Sequence, residues 1–352
     1  MEKWLPKGRL LSFAVPLVAV FLGILIGAIV MLVSGYNPFV AYSALLQGIF
    51  SDSYYVGETL RSMTPLILAG LAVAFAFRTG LFNIGVEGQV IVGWLASVYV
   101  GIAFELPMMI HLPLAIIAGA VAGALWGFIP GFLKARFQVH EVIVTIMMNY
   151  IALYTVNYII RSYLLVPGER TETISPTASL ASPFLQSITD YSRLHFGIIV
   201  ALIACVVLWF ILWKTAKGYE LRAVGFNQHA SLYAGMNVER NIVLSMVISG
   251  SFAGVAGAME GLGTYGYMGI LSGFTGVGFD GIAVALLGAN TAIGVFLASF
   301  LFGGLQVGAL TMQSRAGVPA ELIDIVIALI IFFVASSYII RWVMNRIKKE
   351  GI

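Results

Sequence analysis

Two short stretches hold the groups best placed to do chemistry. TGLFNIGVEGQ, residues 79–89, sets Asn83, Glu87 and Gln89 among three glycines between two apolar runs, and SGFTGVGFDG, residues 272–281, sets Asp280 in a similar frame. A carboxylate flanked by apolar sequence can exchange a proton, hold a cation or touch a solute. It can also stand in the first turn of a helix, where the positive end of the dipole favours an anion. Spacing suits the helix-start role: Asn83 is of N-capping type and Glu87 follows one turn later. Glu141 and Glu321 also open apolar runs, while Asn149, Glu260 and Gln306 lie within them. Asn149 and Gln306, farther from the expected helix ends, are candidates for lining a polar cavity.

These groups belong to a chain of 352 residues that is 60% hydrophobic and 10% charged, with a mean hydropathy of +0.98. Soluble domains carry about 25% charge, so most of this surface is expected to meet lipid. The fold class that follows is an all-α polytopic membrane protein, because backbone groups in hydrocarbon must be satisfied within helices. A net charge of +3 is too small to imply nucleic acid. The single cysteine, Cys205, rules out a disulfide framework, and His111, His140, His195 and His229 lie too far apart in sequence to suggest a metal centre. No G-x-x-x-x-G-K-[ST], G-x-S-x-G, H-E-x-x-H or C-x-x-C motif is present, so no catalytic residue or cofactor is expected.

Apolar segments at 10–33, 62–77, 85–104, 112–133, 142–161, 195–213, 241–260, 279–290, 292–312 and 321–341 predict ten membrane helices, the first uncleaved. The second and eighth are shorter than the roughly 20 residues that a full crossing needs. With a cytoplasmic N-terminus, 14 of the 19 Lys and Arg fall inside, Lys3, Arg341, Arg346, Lys348 and Lys349 among them, as the positive-inside rule requires. Both termini are then cytoplasmic.

A shift of 193 aligns TGLFNIGVEG with SGFTGVGFDG, superposing three glycines and matching Glu87 with Asp280. A shift of 180 aligns residues 123–143 with 303–323. The chain therefore reads as one transmembrane domain over 1–352 with a repeat, helices two to five (about 62–161) and seven to ten (about 241–341). Copies five spans apart face opposite ways, the inverted arrangement of many transporters. Glu87 is expected near the cytoplasm and Asp280 near the outside. Gly119, Gly123, Gly127 and Gly131, with Gly250 and Gly254, form ridges for close helix packing.

Three loops complete the reading. Residues 261–278 carry seven glycines with Tyr265, Tyr267 and Phe274, either an outer gate whose aromatic faces stack on a ring-shaped solute or a tight external loop. Residues 214–240 have the spacing of a short amphipathic helix outside the bilayer, fit for a partner protein or for the lipid surface. The Ser-, Thr- and Pro-rich segment 162–195 is long for a simple connection, and a docking surface for an external partner is its functional reading.

TGLFNIGVEGQ, the pattern G-Y-E-L-R-A-V-G-x-N-x-x-A at 218–230 followed by AGMN, and the span order resemble permease subunits of ABC importers in the branched-chain amino acid and ribose group. FNIGVEGQ most closely resembles the nucleoside-uptake permeases. The resemblance implies a type II importer-like permease in the bacterial plasma membrane, paired with a second homologous permease, served by cytoplasmic ABC ATPases and supplied by an external substrate-binding lipoprotein. It makes 214–240 the element coupled to the ATPase, with Gly218, Arg222, Gly225, Asn227, Ala230 and Gly235 at the matching positions. Few buried basic residues argue against a phosphorylated solute. Ribose or another sugar, a branched-chain amino acid, or an ion-coupled carrier using Glu87, Glu260, Asp280 or Asp324 are the rival readings, with a non-transporting scaffold a further one.

Overall fold

The computed structural model describes residues 7–335, so Lys3, the basic C-terminal residues and the end of the tenth expected span lie outside it. In chain order the helices are α1 (Lys7–Val33), α2 (Pro38–Phe50), α3 (Ser53–Arg78), α4 (Val86–Ala103), α5 (Met108–Phe137), α6 (Glu141–Ile159) and α7 (Pro183–Ile188). There follow α8 (Gly197–Lys214), α9 (Ala216–Phe226), α10 (Gln228–Tyr233), α11 (Val238–Met259), α12 (Val277–Leu287), α13 (Ala292–Ala316) and α14 (Ala320–Ala335). Single π-turns, Ile160–Leu164 and Glu260–Tyr265, continue α6 and α11. Seven of the described helices are long and apolar enough to cross a membrane.

Two helices differ from expectation. α3 begins at Ser53, nine residues before the apolar run, and its 26 residues are enough for a crossing. Charge neutralisation explains the extension. Glu58 accepts from Arg61 Nε at 2.8 Å, from the Arg193 backbone N–H at 2.7 Å and from Arg193 Nη2 at 2.9 Å, so three charges that look like a loop end are satisfied inside the fold. α2, thirteen residues with Pro38 in its first turn and Asn37 capping Phe39 N at 3.0 Å, has no counterpart among the expected spans. α12 is short, as the eighth segment suggested, at 11 residues.

The chain falls into two compact units. One holds α1, α2, α13 from Gly304 onward, and α14; there Tyr42 donates to the Ile24 carbonyl at 2.7 Å and Arg315 to Gln47 Oε1 at 2.5 Å. The other, Val56–Gly303, holds α3 from Val56 onward, the start of α13 and every element between them. Within it α3 is buried all round from Ser62 to Ala76, as befits a helix apolar on every face. α5 meets α11 backbone to backbone: a Cβ on Gly123 would overlap the Gly250 carbonyl, and one on Gly254 the Gly119 carbonyl.

The long 162–195 segment is ordered rather than loose. Thr171 N donates to the Met268 carbonyl, Ile174 N to Gly266, and Leu180 N to Leu262, each at 2.9 Å, tying it to the end of α11. His195 closes it and is 1% exposed. Its Nδ1 accepts from Gly197 N at 3.1 Å, and Nε2 lies 3.5 Å from Thr264 Oγ1. Burial, helped by the Arg61 cation and opposed by Glu58, pushes its pKa down to about 4. A histidine depressed in the folded state stabilises above its unfolded pKa of about 6.5, and that contribution is lost as pH falls toward 4, because the unfolded chain takes up the proton first. Stability is expected to drop by roughly 3 kcal/mol across that window from this residue. Thermal unfolding over the same pH range measures it: His195→Gln should flatten the slope, and an unchanged slope removes the assignment.

Candidate functional site

Chain reversal after Arg78 starts the site. Thr79 and Gly80 (φ +79°) turn the chain, residues 81–85 are irregular, and α4 starts at Val86. Asn83 is not the helix cap that its spacing suggested; that position belongs to Gly85. Instead Asn83 is fully buried. It accepts from Gly85 N at 3.0 Å and donates from Nδ2 to Gln89 Oε1 and Ser249 Oγ, both at 2.9 Å; Ser249 in turn donates to the Ala72 carbonyl at 2.7 Å. One turn earlier on α11, Ser245 pairs with Thr79 through their hydroxyls. Asn149 of α6 accepts from Gly88 N at 2.9 Å and donates to the Ile84 carbonyl at 3.1 Å. Backbone groups freed by the irregular stretch are thus met by side chains, the condition for such a stretch inside a helical bundle.

The second irregular stretch arrives at the same place. From Tyr265 the chain runs beside α6, where Asn157 both donates to the Leu271 carbonyl (2.8 Å) and accepts from Leu271 N (2.9 Å). Phe274 meets the Tyr150 ring edge-on at 5.0 Å. α12 then starts against Glu87. This carboxylate, 0% exposed, accepts from Thr275 N and Thr275 Oγ1 at 2.6 Å, Gly276 N at 3.0 Å and Gly278 N at 2.7 Å. Glu87 stands in the first turn of α4, and its oxygens accept from the two residues that lead into α12 and from Gly278 in its first turn, so one anion serves two helix N-termini. This corrects the expectation that Glu87 and Asp280 lie near opposite faces: Asp280 is two residues beyond Gly278, and the two motifs meet. The helices leave the junction in different directions. α4 ends where Ser175 N donates to the Gly101 carbonyl, and α12 ends where Arg78 donates to the carbonyls of Ala289 and Asn290.

Residues 214–240 form two short helices with side-chain caps. Thr215 accepts from Gly218 N, Asn227 from Ala230 N, and Asn237 from Arg240 N, each at 2.9 Å, opening α9, α10 and α11 in turn. Leu221 and Val224 are buried, and Val224 packs with Ala76, Leu81, Ala135, Ile242 and Met246. Arg222 stacks over Trp213 at 4.1 Å. Gly225 touches the backbone of Thr79 and Gly80: a Cβ there would stand 2.6 Å from the Thr79 carbonyl carbon. Gly235 turns the chain at φ +81°. Phe226 at the end of α9 and Tyr233 at the end of α10 are 90% and 94% exposed.

Tyr265 stacks on Trp94 at 5.2 Å, and Trp94 Nε1 donates to the Tyr267 carbonyl at 3.1 Å. Glu260 is buried in the π-turn before Tyr265, and Gln306 is half-buried on α13. Asn157 stands out in the sequence as a polar residue in an apolar run, whereas Trp94, Ser249 and Thr275 are the site residues that the sequence did not single out. Ser249, a polar residue in an apolar run, was the available signal.

Comparison with known proteins follows this geometry. Residues 55–335 match the family described as branched-chain amino acid transport system / permease component. The chain is 66% identical to the guanosine ABC transporter permease protein NupP of Bacillus subtilis, over 97% of this chain and 99% of that protein. It is 42% identical to the nucleoside ABC transporter permease protein NupB of Lactococcus lactis, over 95% and 93%. It is also 30% identical to a second B. subtilis guanosine permease, NupQ, over 72% and 81%. This multi-span membrane protein belongs to the branched-chain amino acid transport system permease family.

Proposed function

We propose that the chain is the permease subunit of an ATP-driven importer that carries nucleosides, of the purine class, across a bacterial plasma membrane. The likeness to the guanosine permease along almost the whole of both chains carries this reading. In it α1, α3, α4, α5, α6, α8, α11, α12, α13 and α14 are the ten crossings, α12 a partial one, with both termini cytoplasmic. α3–α6 and α11–α14 are inverted copies, and the meeting of the α4 and α12 N-termini supports the inversion. Two guanosine permeases in one bacterium support a working pair of unlike permeases. The exposed Phe226 and Tyr233 support docking of an ATPase on α9 and α10, and the ordered 162–195 segment supports docking of a lipoprotein. Neutral nucleosides need ring faces and amide groups, so Tyr265 and Phe274 stack on the base, while Asn83, Gln89, Asn149, Glu260 and Asp280 set the polarity of the path.

Force reaches the path through α9. Gly225 lies on Thr79–Gly80, six residues before Val86, with no side chain between, so tilting α9 moves the start of the irregular stretch that carries Asn83. In proteoliposomes holding both permeases, the ATPase and the lipoprotein, labelled guanosine is expected to enter only with ATP. Gly225→Ala, the smallest change that forces α9 away from Thr79, should leave ATP hydrolysis running and cut uptake by about tenfold or more, within the usual range of coupling energies. Uptake driven by an ion gradient through this chain alone would instead establish a secondary carrier.

A further inference from the structure

α5 and α11 touch along their glycines as far as Gly131, and beyond it side chains part them. A Cβ at Gly131 would already stand 2.9 Å from Met246 Cβ. Where the helices separate, a cleft of about 460 Å³ opens. Its floor is apolar, with Phe132, Val243 and Val247, and its rim carries Arg136 from the last turn of α5 and Arg240 from the first turn of α11. Lys134, half a turn before Arg136, is committed to Glu141 at 3.0 Å. Arg136 and Arg240 form no ion pair among the described residues.

We propose that this cleft binds one anionic phospholipid of the phosphatidylglycerol class, its phosphodiester between Arg136 and Arg240 and its acyl chains along Phe132, Val243 and Val247. The floor calls for an amphiphile, since a free phosphate ion would leave those three side chains wet. The apolar walls belong to helices of membrane-crossing length, so a lipid reaches the cleft sideways from the leaflet. Two guanidinium groups offer the planar donor pairs that suit phosphate oxygens. Among the residues that line the cleft, Glu239 offsets one of the two cations and leaves a charge of one for the phosphodiester, and its carboxylate accepts from the hydroxyls of a glycerol headgroup; beyond the lining, Glu220, itself paired with Lys217, also feels Arg240. A basic cleft between crossing helices is a common form of anionic lipid site. The proposal rests on this end of α5 and α11 lying at a leaflet surface and is independent of the solute.

Native mass spectrometry of the purified complex tests it, with phosphatidylglycerol, phosphatidylethanolamine and glycerol 3-phosphate as probes. Phosphatidylglycerol is expected to be held more strongly than phosphatidylethanolamine, and R136Q/R240Q to weaken it about tenfold, with Glu239 offsetting part of the two cations. V243W, which fills the floor without changing charge, should reduce retention of phosphatidylglycerol as well. Equal retention by wild type and both variants, or equal retention of the two lipids, overturns the proposal. Displacement by glycerol 3-phosphate would show a free-phosphate site and also overturn it, as would loss of ATPase association with lipid retention unchanged.

Discussion

Glu87→Ala is expected to destabilise the permease by about 4–5 kcal/mol, the cost of removing one partner from a buried charged network. Three backbone N–H groups and the Thr275 hydroxyl lose their acceptor, in a place with little else to receive them. Against a typical total stability of about 5–15 kcal/mol, this removes from about a quarter to nearly all of the margin. Glu87→Gln should be milder, at about 2–3 kcal/mol: Oε1 can still accept, but an amide NH2 then faces the Gly278 N–H, donor against donor. Melting temperature and monodispersity in detergent, with uptake in proteoliposomes, measure both variants. An alanine variant melting within about 2 °C of wild type would sink the claim that this carboxylate holds α4 and α12 together.

Gly254→Leu carries the other large expected effect. Its Cβ alone would overlap the Gly119 carbonyl, and the groups in the way are backbone, which has no rotamer to change. Overpacking with side chains that can shift costs about 1–3 kcal/mol. Here the cost should exceed about 3 kcal/mol, because α5 and α11 must separate along their whole seam. Leu125→Phe is the matched control, since Leu125 on the outward face of α5 is 64% exposed and a larger ring there meets lipid. The two variants are compared by thermal melting and by yield of folded complex. A Gly254→Leu protein as stable as the control would mean that the seam opens freely.

The parts legible in the sequence were those fixed by local composition. Long apolar runs gave α4, α5, α6, α8, α11 and α13 to within a few residues, and glycines four apart marked the α5–α11 seam. α2 was missed because thirteen residues ending beside Asp52 are too short and too near a charge to read as a membrane element. The first turns of α3 were missed because the groups that neutralise them come from Arg193, 135 positions away. Asn83 has the composition of a cap, yet its use depends on Ser249 across the bundle, a contact between segments that no local pattern encodes. The alignment of the two motifs paired Glu87 with Asp280. The expectation of inverted copies put them near opposite faces, whereas the course of residues 266–276 along α6 brings the two motifs together.

The backbone seam between α5 and α11 also limits how the molecule can move. Helices that interlock through long side chains can slide by repacking them, but here carbonyls rest on Cα atoms and there is nothing to reshuffle. The two helices must travel as a single lever. Any swing during a working stroke is then concentrated in the joints without regular hydrogen bonding, 79–85 and 266–276, and both joints end on the same glutamate.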